Sequence, residues 1–208
     1  MTPEVLIYPA VRALVAKLAG FAAGVALACA LAAAGELILA PLGCVGAALF
    51  VGSLSELLMS LFLMVVVWLA LWCHMVLLAG RGMEFTRYLL LVGAVLALLM
   101  PVCTAYQILV GEFLLLRQDD LPVIVTLLLA LSVYLNLPRG VAAGWGKLSA
   151  ISVFAAAALL YALTNVQALV WVNDVLKIVA CGTMWYPLRG LSRYALRVVA
   201  LPPLDAGA

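Results

Sequence analysis

Charge is scarce in this chain. Of 208 residues, 10% are charged and 69% are hydrophobic, with a mean hydropathy of +1.29. A soluble domain carries about a quarter charged residues, so no aqueous fold hides this much apolar surface. The longest polar stretches are a few residues, which excludes a separate soluble catalytic or nucleic-acid-binding domain. There is one histidine, His74. A closed four-ligand zinc site or a bis-histidine haem needs partners that a lone histidine lacks, so neither metal nor cofactor is expected. His74 retains a single-ligand or proton-relay role beside the plainer reading of an interfacial hydrogen bond.

The five cysteines, Cys29, Cys44, Cys73, Cys103 and Cys181, include no C-x-x-C pair. That removes the closely poised dithiol of a membrane thiol oxidoreductase. Cys44 and Cys103 fall toward the same side and are compatible with a disulfide that spacing alone does not establish. H-E-x-x-H, G-x-S-x-G and the glycine-rich phosphate loop are all missing. A Ser55–His74 catalytic pair is excluded by roughly 28 Å of intervening helix. Nothing therefore marks the chain as an enzyme.

What the chain does contain is long apolar runs, such as Leu57 to Ala79, without the alternation of a membrane β-barrel. Backbone groups in lipid must pair internally, so these runs predict an all-α bundle. Runs of about 20 apolar residues place six spans at Leu18–Leu39, Leu57–Ala79, Tyr88–Val110, Leu121–Leu137, Leu148–Val166 and Leu169–Leu188. The first reads as a retained span rather than a cleavable leader, because its apolar stretch outruns a signal core. Pro101 should kink the third span and free a carbonyl one turn earlier. Asp119, Asp120 and Pro122 suit the start of the fourth.

Arg12, Lys17, Arg81, Arg87, Arg139, Lys147, Arg189, Arg193 and Arg197 fall on one side of this arrangement, nine of the eleven basic residues. By the positive-inside rule that side is cytoplasmic, which predicts a bacterial inner-membrane protein with both termini inside. Glu36, Glu56, Glu112, Asp119, Asp120 and Asp174 gather opposite, with Arg117 and Lys177. The segment near 40–55, broken by Pro41, Gly43, Gly46 and Gly52, reads as a re-entrant or interfacial hairpin on the outer side. Residues 1–188 form the membrane domain in this reading. Residues 189–208 form a basic cytoplasmic tail whose Arg189, Arg193 and Arg197 suit an amphipathic helix on anionic lipid or an acidic partner.

Polar residues inside the bilayer cost a few kcal/mol each and mark candidate sites. Asn173, Asp174 and Lys177 share one helical face and either form a polar site inside the bundle or anchor the outer interface. Glu36 and Glu56 bracket the broken segment, as ion sites of transporters do, or end helices in water. In span one, Ala16, Gly20, Gly24, Ala28 and Ala32 recur every four residues as a small-residue ridge for a neighbouring helix. Two functions follow. One is a non-catalytic membrane subunit, scaffold or assembly factor, with a protein partner or a second copy packed in the bilayer. The alternative is a small transporter or channel working through the acidic residues.

Overall fold

The computed structural model describes residues 3–77, 84–110, 128, 130, 132–133, 153–157 and 170–199, and every described residue is helical apart from short turns. Three helical stretches, Ala13–Leu39, Val45–His74 and Tyr88–Val110, are long and apolar enough to cross a membrane. The third coincides with the predicted span. The predicted spans at 121–137 and 148–166 lie outside the described residues, except for the short helical pieces given above.

Helix α1 (Pro3–Leu39) and helix α2 (Val45–Leu77) form an antiparallel hairpin. This corrects the expected re-entrant segment near 40–55: the chain leaves helical geometry only from Ala40 to Cys44. Pro41 cannot continue α1, and Gly43 adopts φ +77°, a left-handed conformation that costs glycine little. The Ala40 amide donates to the Glu36 carbonyl and the Cys44 amide to that of Leu39, which satisfies the helix end. Gly46 and Gly52 stay inside α2. Helix α1 ends at Leu39 as expected, whereas α2 begins at Val45 rather than Leu57 and so takes Glu56 into the helix.

Helix α3 (Glu84–Ala97) and helix α4 (Leu99–Val110) are one apolar run interrupted at Leu98. Pro101 has no amide to offer the Ala97 carbonyl and its ring crowds that group, so the expected kink appears where the missing bond lies. The Leu98 amide turns back to the Val95 carbonyl, 3.2 Å away. Cys103 is free and half-buried, and Cys44 is free and exposed, so the disulfide considered between them is not formed.

Helix α5 (Val170–Val199) is continuous through Pro187. The amphipathic helix expected to begin at 189 is therefore the last part of α5. It stays with the bundle because Leu188, Leu191 and Ala195 are buried and the Ser192 hydroxyl donates to the Ala16 carbonyl of α1, 2.9 Å away. Arg189 and Arg193 point outward, the former with its guanidinium 4.9 Å above the Trp185 ring.

Small side chains decide how closely these helices pack. Helix α1 lies along both α2 and α5, and its buried face is Ala19, Ala22, Ala23, Ala26, Cys29 and Ala33. Between apolar helices in lipid the gain comes from close van der Waals approach, which alanine permits. Helices α2 and α5 stand further apart and meet through longer side chains. They run parallel, since Lys177 meets Ser55 and Cys181 meets Met59 at the same sequence offset of 122. Phe62 fills the centre of α2 and meets Phe154 edge to face, with centroids 5.9 Å apart at 81°.

Candidate functional site: a buried ionic cluster

The site lies near the hairpin end of the bundle, where α1 ends and α5 begins. Helix α5 contributes Asp174 and Lys177 one turn apart, so both side chains emerge on one face and pair at 3.0 Å. Both are nearly fully buried, with side chains 1% and 2% exposed. The reading of these residues as an outer anchor fails on this burial, and they face the bundle.

Lysine suits the gap between α2 and α5 because its ammonium sits on a long flexible stem. Its three donors are all used: Nζ lies 2.7 Å from Glu56 Oε1, 3.0 Å from Asp174 Oδ1 and 2.9 Å from Ser55 Oγ. Ser55 in turn donates its hydroxyl to the Gly52 carbonyl at 2.8 Å. Glu56 has a side chain 38% exposed and forms the open edge of the cluster.

Glu36 completes the group from α1, its carboxyl group lying against Gly52 of α2. Its place depends on Gly52: a Cβ there would come within 2.5 Å of all three atoms of the Glu36 carboxyl group. Only glycine leaves room for it. Asp174 Oδ2 and the buried Asn173 Oδ1 have no hydrogen-bond donor. Uncompensated acceptors inside a protein cost free energy, so such atoms are uncommon without a role.

Sulfur lies on the bundle-inward side of this polar layer. The Cys29 thiol donates to the Ser55 carbonyl at 3.5 Å, and the Cys181 thiol contacts Met59 Sδ at 3.7 Å. Among the described residues no group of three His, Cys, Asp or Glu side chains is placed to hold a metal ion. Deeper still, Phe62, Val66, Leu69, Met184 and Leu188 are buried and apolar. Among the described residues the cluster therefore has its exposed edge at Glu56 and apolar side chains on its other side.

The structure thus brings together Glu36, Glu56, Asp174 and Lys177, which the sequence had left on three separate helices. Asn173 is buried beside them. Gly20, Gly24 and Ala28 lie elsewhere: a Cβ on Gly20 would meet Ser192 Oγ at 3.4 Å, whereas nothing stands within 4 Å of one on Gly24. Gly24 and Ala28 are exposed. His74 is buried near the opposite end of α2. The side chain of Arg197 and residues 112–120 lie outside the described residues.

Sequence reasoning missed Ser55 and Gly52 as members of the site. The available signal was their spacing: Gly52, Ser55 and Glu56 stand three and four residues apart, on one helical face. No protein-family model, no curated protein and no solved structure matches this chain.

Proposed function

We propose that the chain is a small membrane transporter whose binding site is the cluster of Glu36, Ser55, Glu56, Asp174 and Lys177. The observation that carries this reading is the unused acceptor Asp174 Oδ2, buried in a group where carboxylates outnumber ammonium groups three to one among the described residues. A purely structural ion pair balances its charges and its hydrogen bonds. This group has acceptors and negative charge to spare, which suits a protic or cationic species. The six-span arrangement in a bacterial inner membrane, with both termini cytoplasmic, puts the open edge of the cluster on the outer side.

The test is flux in vesicles reconstituted with the purified protein, under an imposed proton or cation gradient. Wild-type protein should carry flux, and Asp174→Asn should reduce it to the level of empty vesicles while eluting and folding normally. Flux that survives Asp174→Asn removes the cluster from the pathway.

A second reading has its own observation. Gly24 and Ala28 are exposed small residues, and nothing stands within 4 Å of a Cβ placed on Gly24, as a helix of a partner or a second copy requires. In the membrane-subunit reading, with Arg189 and Arg193 on an accessible basic face, Gly24→Leu should abolish co-purification with that helix and leave thermal stability unchanged. Gly20→Leu should instead lower stability, because it drives into Ser192 at the α1–α5 crossing. Equal stability losses in both variants, with assembly intact, would remove the subunit reading.

A further inference from the structure

The cations at the other end of the bundle lack counter-ions. Lys17 on α1 and Arg189 and Arg193 on α5 are exposed, and none of them forms an ion pair among the described residues. No acidic residue occurs along their own helices from Val5 to Gly35 or from Val175 onward to Leu204.

The register of the two helices brings these cations together. The Ser192 hydroxyl meets the Ala16 carbonyl at 2.9 Å, and a Cβ on Gly20 would meet Ser192 Oγ at 3.4 Å, so this turn of α5 lies against this turn of α1. The two helices run antiparallel. One residue past such a contact each side chain turns by about 100°, and in antiparallel helices both turn toward the same side of the crossing. Lys17 and Arg193 therefore leave the α1–α5 interface on one side and at one level, and Arg189 stands one turn away from Arg193 on that side. The Arg189 guanidinium lies 4.9 Å over the Trp185 ring. Stacking uses its flat face and leaves its N–H edges for oxygen acceptors.

Lys17 stands about 28 Å along α1 from Glu36, and Arg193 stands the same distance along α5 from Asp174. A hydrocarbon layer is about 30 Å thick. A membrane with one boundary at the acidic cluster thus has its other boundary, and its phosphate groups, at these cations. From them toward the cluster the same side of the interface stays open: Gly24, Ala28 and Gly182 are exposed, and nothing stands within 4 Å of a Cβ on either glycine.

We propose that Lys17, Arg189 and Arg193 bind the headgroup of an anionic phospholipid whose acyl chain lies between α1 and α5 along Gly24, Ala28 and Gly182. Three positive charges favour a phosphate that carries no ammonium of its own, so the site selects anionic over zwitterionic headgroups. A second copy of the chain fits this face poorly. Two copies related by an axis along the membrane normal bring their cations to one level, where like charges repel.

The test is native mass spectrometry of the protein released from phosphatidylcholine vesicles containing phosphatidylglycerol, with thermal stability followed in the same lipids. The wild type should retain phosphatidylglycerol in preference to phosphatidylcholine. Each cation removed should weaken that retention about fivefold, and Lys17→Gln/Arg193→Gln about 25-fold. Arg87→Gln, which removes a cation from α3, should leave it unchanged. These variants should melt in pure phosphatidylcholine as the wild type does; if the double variant fails to fold, the two single variants decide. Equal retention of both lipids by the wild type, or unchanged retention in the Lys17 and Arg193 variants, overturns the proposal. Glycerol phosphate, which has the headgroup and no chains, should not stabilise the protein, and stabilisation as large as the lipid's overturns the docking of an acyl chain. A protein that co-purifies in place of the lipid and is released by Gly24→Leu overturns it in favour of the membrane-subunit reading.

Discussion

Replacing Lys177 with methionine should destabilise the protein more than any other single substitution in the bundle. Methionine preserves the length and much of the volume of the side chain, so packing changes little. What is lost is the only ammonium among the described residues of the cluster, and with it a partner of Glu56 Oε1, Asp174 Oδ1 and Ser55 Oγ. Removing one member of a buried ion pair costs about 3–5 kcal/mol, because the partner charge stays behind in a medium that solvates it poorly. Glu56 is partly exposed and contributes the smaller share, so most of the cost falls on Asp174, which is 1% exposed. The double variant Lys177→Met/Asp174→Asn should accordingly recover about half or more of the loss, as coupled neighbours do in a mutant cycle. Thermal unfolding in detergent, followed by the fraction remaining monodisperse, measures both. A single variant as stable as the wild type would mean that Lys177 is not the charge that holds the three helices together.

The second large effect is expected at Phe62. It is fully buried on the face of α2 turned toward the rest of the bundle and meets Phe154 edge to face. Phe62→Ala opens a cavity that lipid does not fill. In water such a change costs about 3–5 kcal/mol. Inside a bilayer the transfer contribution shrinks, because lipid tails are as apolar as the core, and the lost dispersion contacts dominate. A loss of about 3 kcal/mol, at the lower end of that range, is expected by the same thermal measurement, with Phe62→Leu costing less. Because Phe62 stands roughly 10 Å along α2 from Ser55, flux through the reconstituted protein should survive. Loss of flux in a folded Phe62→Ala variant would show that the apolar layer and the ionic layer are one cooperative unit.

Much of this architecture is written in the sequence, and the misreadings have physical causes. The all-helical fold follows from apolar run lengths, and the Pro101 kink follows from a missing donor. Tyr88–Val110 was delimited by hydropathy alone. Helix ends were harder. Glu36 and Glu56 stayed open between an ion site and solvated helix ends because a carboxylate in lipid is costly, and the lysine that offsets the cost lies on another helix. A residue that arrives from 122 positions away leaves no local trace at Ser55. The same reasoning kept Asn173, Asp174 and Lys177 open between a site and an anchor: their spacing gives a shared face, and only the neighbours of that face decide whether it is buried.

The ridge of Ala16, Gly20, Gly24, Ala28 and Ala32 shows a different kind of error. A four-residue step overshoots the helical period of 3.6 by about 40°, so four such steps wind around α1 rather than marking one side. Ala16 and Ala32 at its ends are buried, while Gly20, Gly24 and Ala28 between them are exposed. The face that packs follows Ala19, Ala22, Ala26 and Ala33, closer to the true period.

The order of the charges along the chain also bears on how the protein is made. The hairpin of α1 and α2 carries Glu36 and Glu56 on its two arms, and both are synthesised well before Lys177. With 122 residues between Ser55 and Lys177, elongation at about 5–20 residues per second leaves the two acids without their counter-ion for roughly 6–24 s. During that interval Glu56 lacks the ammonium that pairs with it in the folded bundle. The emergence of α5 supplies it, so that the last described helix to leave the ribosome is the one that completes the first two.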